Sequence, residues 1–228
     1  MFKTLQRIHE AVKLDSLQPI HEYTNYSASV INVLTCFNQM KTDWQNIGWP
    51  DVKSSYIFLE KIIDNTRVCS EFYVERLKGK VNEVVLLSNS CTITPESCML
   101  INNMEHLHRE LRCHLDSLAC NVAPDNAEPS GYELQKCVDN INEEIHWKYK
   151  EAMKYIVNLI CTSLKQPLFN CVENNGIQNL DKFMTQLQTN LCVLTKHISE
   201  TSMEQIVAEI WSELLAAVDI FVITGLEV

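Results

Sequence analysis

The residues most able to do chemistry are two Glu-x-x-His triplets, Glu105-His106-Leu107-His108 and Glu143-Glu144-Ile145-His146. A Glu and a His three apart share a helix face, and di-iron carboxylate bundles use two such pairs plus a Glu from each of two further helices. That chemistry requires both triplets to project inward. Glu105 and His108 lie beside the apolar stripe of Leu100, Met104, Leu107 and Leu111. Glu143 falls two residues past Ile141, about 200° round the helix, which points it to solvent. Solvated faces are therefore the expectation for the four residues, with no common ligand point, no metal and no cofactor.

Other catalytic signatures are missing from the sequence. It has no Gly-rich phosphate loop and no Ser-centred elbow. The ten cysteines are Cys36, Cys69, Cys91, Cys98, Cys113, Cys120, Cys137, Cys161, Cys171 and Cys192, and no two stand as C-x-x-C. Zinc-site and dithiol spacings are thus absent. Cys98, Cys113, Cys137 and Cys161 fall inside helical patterns, where a thiol serves as a small apolar group. Unpaired thiols in a reducing, cytosolic compartment are expected. Arg67, Arg76, Lys78 and Lys80 form the one basic cluster, toward the end of a helix where cations complement the dipole. A partner or lipid-headgroup site there is the alternative reading.

The composition suits a non-enzymatic interaction protein. Net charge is −10, which argues against nucleic acid and against adhesion to an anionic membrane surface. The first residues, Met1 to Arg7, hold no apolar signal core, and no run reaches the roughly 18 apolar residues of a membrane span. Among 228 residues there are only five glycines and six prolines, too few turn residues for an all-β chain.

The elements that must position any site are helices. Apolar residues recur at steps of three and four between Pro and Gly breaks. In 131–165 they are Leu134, Val138, Ile141, Ile145, Tyr149, Met153, Ile156 and Ile160. In 178–198 they are Leu180, Phe183, Leu187, Leu191, Leu194 and Ile198; from 201 onward, Met203, Ile206, Val207, Ile210, Leu214 and Val218. Pro50 to about Leu87 reads as one long helix with Tyr56, Leu59, Ile63, Phe72, Leu77, Val81 and Val84 inward. Ser27–Trp44 and 96–119 complete six main helices, and a shorter one precedes them at Phe2–Leu14. Pro50 suits a first helical turn, Thr94-Pro95-Glu96 reads as a start, Gln166-Pro167 as an end, and Asn174-Asn175-Gly176 as a turn. Tyr56, Phe72, Phe169, Phe183 and Trp211 fall at core spacing. The expected architecture is all-α, an elongated rod of stacked antiparallel helical bundles. Its parts are a helical unit over 1–120, a loop over 121–131 and a second helical unit over 132–228.

Four segments resemble the MUN-domain vesicle-priming factors, the mammalian uncoordinated-thirteen homologues and the CAPS family. Ser27 to Phe37, SASVINVLTCF, is similar to the family's Ser-Ser-Ala-Val-Asp-Val-Phe-Thr stretch, with Asn32 in place of the usual acid. Trp49-Pro50-Asp51, followed by Tyr56, resembles its Trp-Pro-Asp start of a long helix. Leu100 to His106, LINNMEH, resembles its Leu-Asn-Asn-Ile-Glu-His helix. Leu180, Leu187, Asn190-Leu191 and Leu194, followed by Ile210-Trp211, resemble the second homology segment. The matches run in family order from about residue 25 to 215, while the stretch from Cys113 to Gly131 diverges.

The resemblance implies the C-terminal part of a MUN domain, built like the subunits of vesicle-tethering complexes. It implies a non-enzymatic module that promotes SNARE complex assembly in regulated exocytosis. The partners it implies are syntaxin, the vesicle SNARE and the syntaxin chaperone; the location it implies is cytoplasmic and peripheral to vesicle or plasma membrane. The flanking β-sandwich domains that bind calcium and lipid, and the N-terminal half of the MUN domain, are expected to be missing. No partner-binding residue carries over, because the matched motifs read as structural. A tethering-complex subunit with other partners and a di-iron bundle enzyme are the alternatives.

Overall fold

The computed structural model describes residues 1–88, 92–120, 130–173 and 177–225. Among them there is no strand. The helices are α1 (Phe2–Leu14), α2 (Ala28–Asn46), α3 (Val52–Ser88), α4 (Pro95–Cys120), α5 (Ser130–Glu173), α6 (Ile177–His197) and α7 (Glu200–Gly225). The spacing of apolar residues thus gives every helix, with the stated ends within a residue or two except at the end of α5.

Two boundaries differ from the sequence reading. α3 begins at Val52, leaving Pro50 outside, because Asp51 performs the capping. Its carboxylate accepts the backbone N–H of Ser54 at 2.8 Å and the Ser54 hydroxyl at 2.8 Å. These bonds hold the Asp51 carboxyl below its usual pKa. Ahead of it, Gly48 takes a φ of 62°, the left-handed turn that leaves α2. The second difference is Pro167, which interrupts nothing: α5 runs through it to Glu173. Proline removes one intrahelical donor. Here Gln166 donates to Asn170 Oδ1 at 3.1 Å, spanning the weak point with a side-chain pair. Asn179 of α6 donates to the Asn170 carbonyl at 3.1 Å. Of the expected loop, 121–129 lies outside the described residues, as does the turn at 174–176, while 130 and 131 already belong to α5.

The chain divides into two compact units. The first comprises Met1–Lys80 and Asn103–Tyr149; the second comprises Val81–Asn102 and Lys150–Val228.

In the first unit α1 packs on α2. The apolar core includes Ile8, Val33, Phe37, Leu59, Leu77, Met104, Leu107, Leu111, Val138 and Ile145, all essentially inaccessible to water. Each such side chain contributes about 1.5–3 kcal/mol relative to exposure. Tyr73 rather than Phe72 sits at the centre of α3, fully buried. Where α1 ends, a polar junction is also buried. The Asp15 carboxylate accepts the Leu17 N–H at 3.0 Å, which holds Leu17 at a φ of 54° with its side chain in the core. The other carboxylate oxygen accepts the Ser27 hydroxyl and, at 3.3 Å, the Ser29 N–H. Asn103 of α4 completes the junction. Its Oδ1 accepts the Ser27 N–H at 2.8 Å and its Nδ2 donates to Ser27 Oγ at 2.7 Å. Ser29 Oγ in turn meets the Tyr73 hydroxyl at 3.0 Å. Burial pushes the Tyr73 phenol up, so it stays neutral.

In the second unit α6 packs on α7, and α5 supplies Met153, Ile156, Val157, Ile160, Cys161 and Leu164 to the core. Phe183 and Leu194 enter from α6, and Ile206, Ile210 and Leu214 from α7. Leu180 and Trp211, expected inside, are 49% and 59% exposed. Each lies off the buried arc of its helix, although its spacing is helical.

Candidate functional site

The Glu-x-x-His pairs come together only in part. His108 of α4 and His146 of α5 bring their ring centroids to 5.0 Å, with Tyr149 within 6.4 Å of both. Burial, then His146 and Arg112, hold His108 below its usual pKa. Glu143 is exposed. Its neighbour Glu144 instead hydrogen-bonds Glu71 of α3; burial and that acidic contact raise its pKa. Among the described residues no group of three or more His, Cys, Asp or Glu side chains is arranged to hold a metal ion. The donor set of a di-iron centre is therefore not assembled by these residues.

Members of the basic cluster are engaged within the chain, and Lys80 reaches another helix. Arg67 bonds Glu71 at 2.7 Å and Asp64 at 3.0 Å. Arg76 lies over the Phe72 ring, 5.0 Å from its centroid. Lys80 donates to the carbonyls of Val12 at 2.8 Å, Lys13 at 2.9 Å and Asp15. An ammonium on the last carbonyls of α1 complements its dipole and satisfies acceptors that the helix leaves open. Spacing along α3 could not show this, because the acceptors lie more than sixty residues away in sequence.

A cleft of about 590 Å³ opens between α2 and α4 of the first unit, lined by Tyr26, Asn38, Lys41, His106, Cys113 and His114 among others. Tyr26 stacks on His106 with centroids 3.7 Å apart. Lys41 reaches across to Ser117 Oγ at 2.7 Å. His114 is buried, and among the described residues its Nε2 has no hydrogen-bond partner. Burial, aided by the Lys41 charge, pushes His114 down to about 4, so the ring is neutral at pH 7. The cleft is mixed in polarity.

The residues that carry the family resemblance turn out to be the joints of the fold. Ser27 stands at the N-terminal boundary of α2, where its N–H bonds Asn103 and its hydroxyl bonds Asp15. Trp49 Nε1 donates to the Trp44 carbonyl near the end of α2 at 3.0 Å, while Asp51 opens α3, so Trp-Pro-Asp closes one helix and starts the next. Asn102 Nδ2 donates to the His197 carbonyl, the last of α6, at 2.6 Å. Asn190 Oδ1 accepts the Ile93 N–H at 2.9 Å ahead of α4. All four polar residues, Ser27, Asn102, Asn103 and Asn190, are buried.

The last two helices carry exposed apolar side chains in helical register: Leu180 and Met184 on α6, then Val207, Trp211, Leu215 and Ile220 on α7. The sequence did carry a signal for this face. Val207, Trp211 and Leu215 step by four beside the inward series Ile206, Ile210 and Leu214, so α7 has two apolar series where one suffices for a core. No helix among the described residues is long and apolar enough to cross a membrane.

The joints invite comparison with known proteins. No protein-family model matches the chain. Curated relatives do. Protein unc-13 homolog 4B of Drosophila melanogaster is 26% identical over 228 residues, covering 94% of this chain and 20% of its own length. Protein unc-13 homolog D of Rattus norvegicus is 21% identical over 229 residues, covering 92% and 20%. BAI1-associated protein 3 of Mus musculus is 20% identical over 217 residues, covering 93% and 19%. The chain thus spans about a fifth of the length of the curated relatives it matches. With nearly its whole length aligned and its motif residues serving as helix joints, the chain has unc-13 family proteins as its homologues.

Proposed function

We propose that this chain is a non-enzymatic helical module of a vesicle-priming or tethering factor and that it promotes SNARE complex assembly in regulated exocytosis. The observation that carries the reading is the alignment of 92–94% of the chain with unc-13 family proteins. Two features support it. The polar residues of the motifs are occupied in holding helices, and the second unit presents uncovered apolar helix surface that can take up a partner helix. The module acts in the cytoplasm, at the periphery of vesicle or plasma membrane, and engages syntaxin, its chaperone and the vesicle SNARE. With a net charge of −10 it does not hold anionic membranes by its own surface.

A partly polar helix contact gives modest affinity, since association entropy and side-chain ordering consume much of the contact energy. Binding on the order of micromolar or weaker follows. Titration of the purified chain against syntaxin, the vesicle SNARE and their assembled bundle tests it. Saturable binding to one of them, with no liposome fusion from the chain alone, is the expected result. No binding to any SNARE at several hundred micromolar, on the order of a hundredfold above the expected Kd, would remove the assembly role.

A further inference from the structure

α7 carries more apolar surface than the core of the second unit uses. Ile206, Ile210, Leu214 and Ala217 face inward. Roughly 100° further round the helix, Val207, Trp211 and Leu215 are 38%, 59% and 52% exposed. Val218, half-buried, extends this second stripe toward the end of α7, and the exposed Glu204 and Glu200 extend it toward the start. Positions 200, 204, 207, 211, 215 and 218 therefore step by four, three, four, four and three, the spacing with which one helix lies along another.

The charge on α7 has one sign. Glu200, Glu204, Glu209, Glu213 and Asp219 are its charged residues, and it has no Lys or Arg. Glu213 reaches Lys165 of α5 at 4.0 Å. Among the described residues Glu200 and Glu204 have no cation beside them. Glu200 lies in the first turn, where it also complements the helix dipole. Glu204, one turn on, lies in line with the apolar stripe. The Trp211 ring, 59% exposed, leaves most of its apolar surface in water that a docked helix would remove.

We propose that this face of α7 docks a basic amphipathic helix of a partner protein. Its apolar residues, at i, i+4 and i+7, lie on Val207, Trp211 and Leu215, and a Lys or Arg at its flank meets Glu204 and Glu200. Charge selects this occupant over the other candidates. In a second copy of the chain the same face would set acid against acid, in parallel or antiparallel register, because Asp219 stands near one end of α7 and Glu200 at the other. An anionic membrane surface repels the same carboxylates. The proposal defines its partner by charge and periodicity. It goes beyond the SNARE reading and does not depend on it.

The test uses the whole purified chain and two synthetic helical peptides of roughly 20 residues, long enough to populate a helix. Both carry Leu at i, i+4, i+7 and i+11; one has Lys at the flanking positions and the other has Glu there. Calorimetry gives affinity, and the Trp211 indole N–H resonance reports the site. The Lys peptide is expected to bind with Kd on the order of 10 μM and to shift that resonance. The Glu peptide should bind at least about tenfold more weakly. Trp211→Ala should lower Lys-peptide affinity about tenfold or more. Glu200→Lys with Glu204→Lys should reverse the preference between the peptides. All three positions are exposed, so unchanged thermal melts separate lost docking from lost fold. Equal binding of the two peptides, or binding that leaves the Trp211 resonance unmoved, overturns the proposal. So does absence of binding at millimolar peptide. Concentration-dependent dimerisation that shifts Trp211, or a shift on adding anionic vesicles, would give the face to another occupant and overturn it too. Failure here with SNARE binding intact leaves the preceding section standing, and the converse holds equally.

Discussion

In the first unit five buried polar residues, Asp15, Ser27, Ser29, Tyr73 and Asn103, form one connected network that joins α1, α2, α3 and α4. In the second unit the buried polar residues bond across the fold and within single turns. Asn190 receives the Ile93 N–H, Asn102 reaches His197, and Ser97 and Ser202 bond neighbours three residues away. Apolar stripes can slide past one another by a helical turn at modest cost, whereas a polar group moved off its partner is left buried and unsatisfied. The first unit therefore has its helix register fixed by directional bonds. The second is held by the long-range bonds of Asn102 and Asn190 together with packing, and it keeps an apolar face open on α7. Both units leave large apolar side chains exposed, Ile57 and Phe58 on α3 of the first as well as Val207 and Trp211 on α7 of the second, so the contrast lies in how their buried polar groups are linked.

Asparagine deletions put the largest strain on that contrast. Asn103→Ala removes both bonds to Ser27 and leaves a buried N–H without its acceptor, so a loss of about 2–4 kcal/mol is expected in urea unfolding. Asn190→Ala removes one acceptor and should cost about 1–2 kcal/mol. Hydrogen exchange should locate the first loss in residues 1–80 and 103–120, and the second in α6 and the start of α4. Equal costs would mean that the network adds nothing beyond its separate bonds.

Acid gives the next largest effect. His114 is neutral when folded and has a pKa of about 4 there. A lowered folded pKa means that the unfolded chain takes up the proton first. The contribution is therefore complete above the unfolded value near 6.5 and is lost as pH falls from there toward about 4, by at most about 3 kcal/mol. His106 and His108 are lowered by burial too and act in the same direction. The decisive quantity is thus the difference between wild type and His114→Leu. The variant should lose less stability between pH 7 and pH 4.5, and identical profiles would show that His114 charges freely in the folded unit.

The smallest effect separates cap from network. Lys80→Met keeps the aliphatic stem but deletes the ammonium that binds three carbonyls, at an expected cost of about 1–2 kcal/mol. Exchange should quicken at the end of α1 and stay unchanged in α6 and α7. Faster exchange in α6 would break the separation of the two units.

The helices were legible because their signal is local. Steps of three and four, ended by Thr94-Pro95 or Gly48, require no knowledge of what lies opposite. The centre of α3 was misread for a related reason. Leu59, Ile63, Thr66, Ser70, Tyr73, Leu77 and Val81 step by four, three, four, three, four and four and are all buried, but Thr66 and Ser70 hide the stripe. Each turns its hydroxyl onto its own helix, Thr66 to the Ile62 carbonyl at 2.9 Å and Ser70 to the Thr66 carbonyl at 2.8 Å, which makes them acceptable inside. Skipping them led to Phe72, which is one position off that stripe. Leu180 and Trp211 were misplaced because period alone does not say which of two apolar arcs meets the core. Cys113 and Cys137, at helical positions like Cys98 and Cys161, are exposed while the latter are buried. The polar junction was out of reach altogether. Ser27 and Asn103 each stood inside a recognised motif, yet nothing in one dimension says that they are partners.

That partnership also sets an order in time. Helices form within about a microsecond from contacts a few residues apart. The bond from Ser27 to Asn103 closes a chain of 76 residues, and gathering a flexible loop of that length costs on the order of 4 kcal/mol in entropy before any bond forms. A single neutral hydrogen bond returns about 1 kcal/mol, so this contact cannot nucleate folding. It closes after the apolar stripes have already brought α2 and α4 together. Asn103 then acts as a late checkpoint: a bundle collapsed one turn out of register finds no partner for it and reopens.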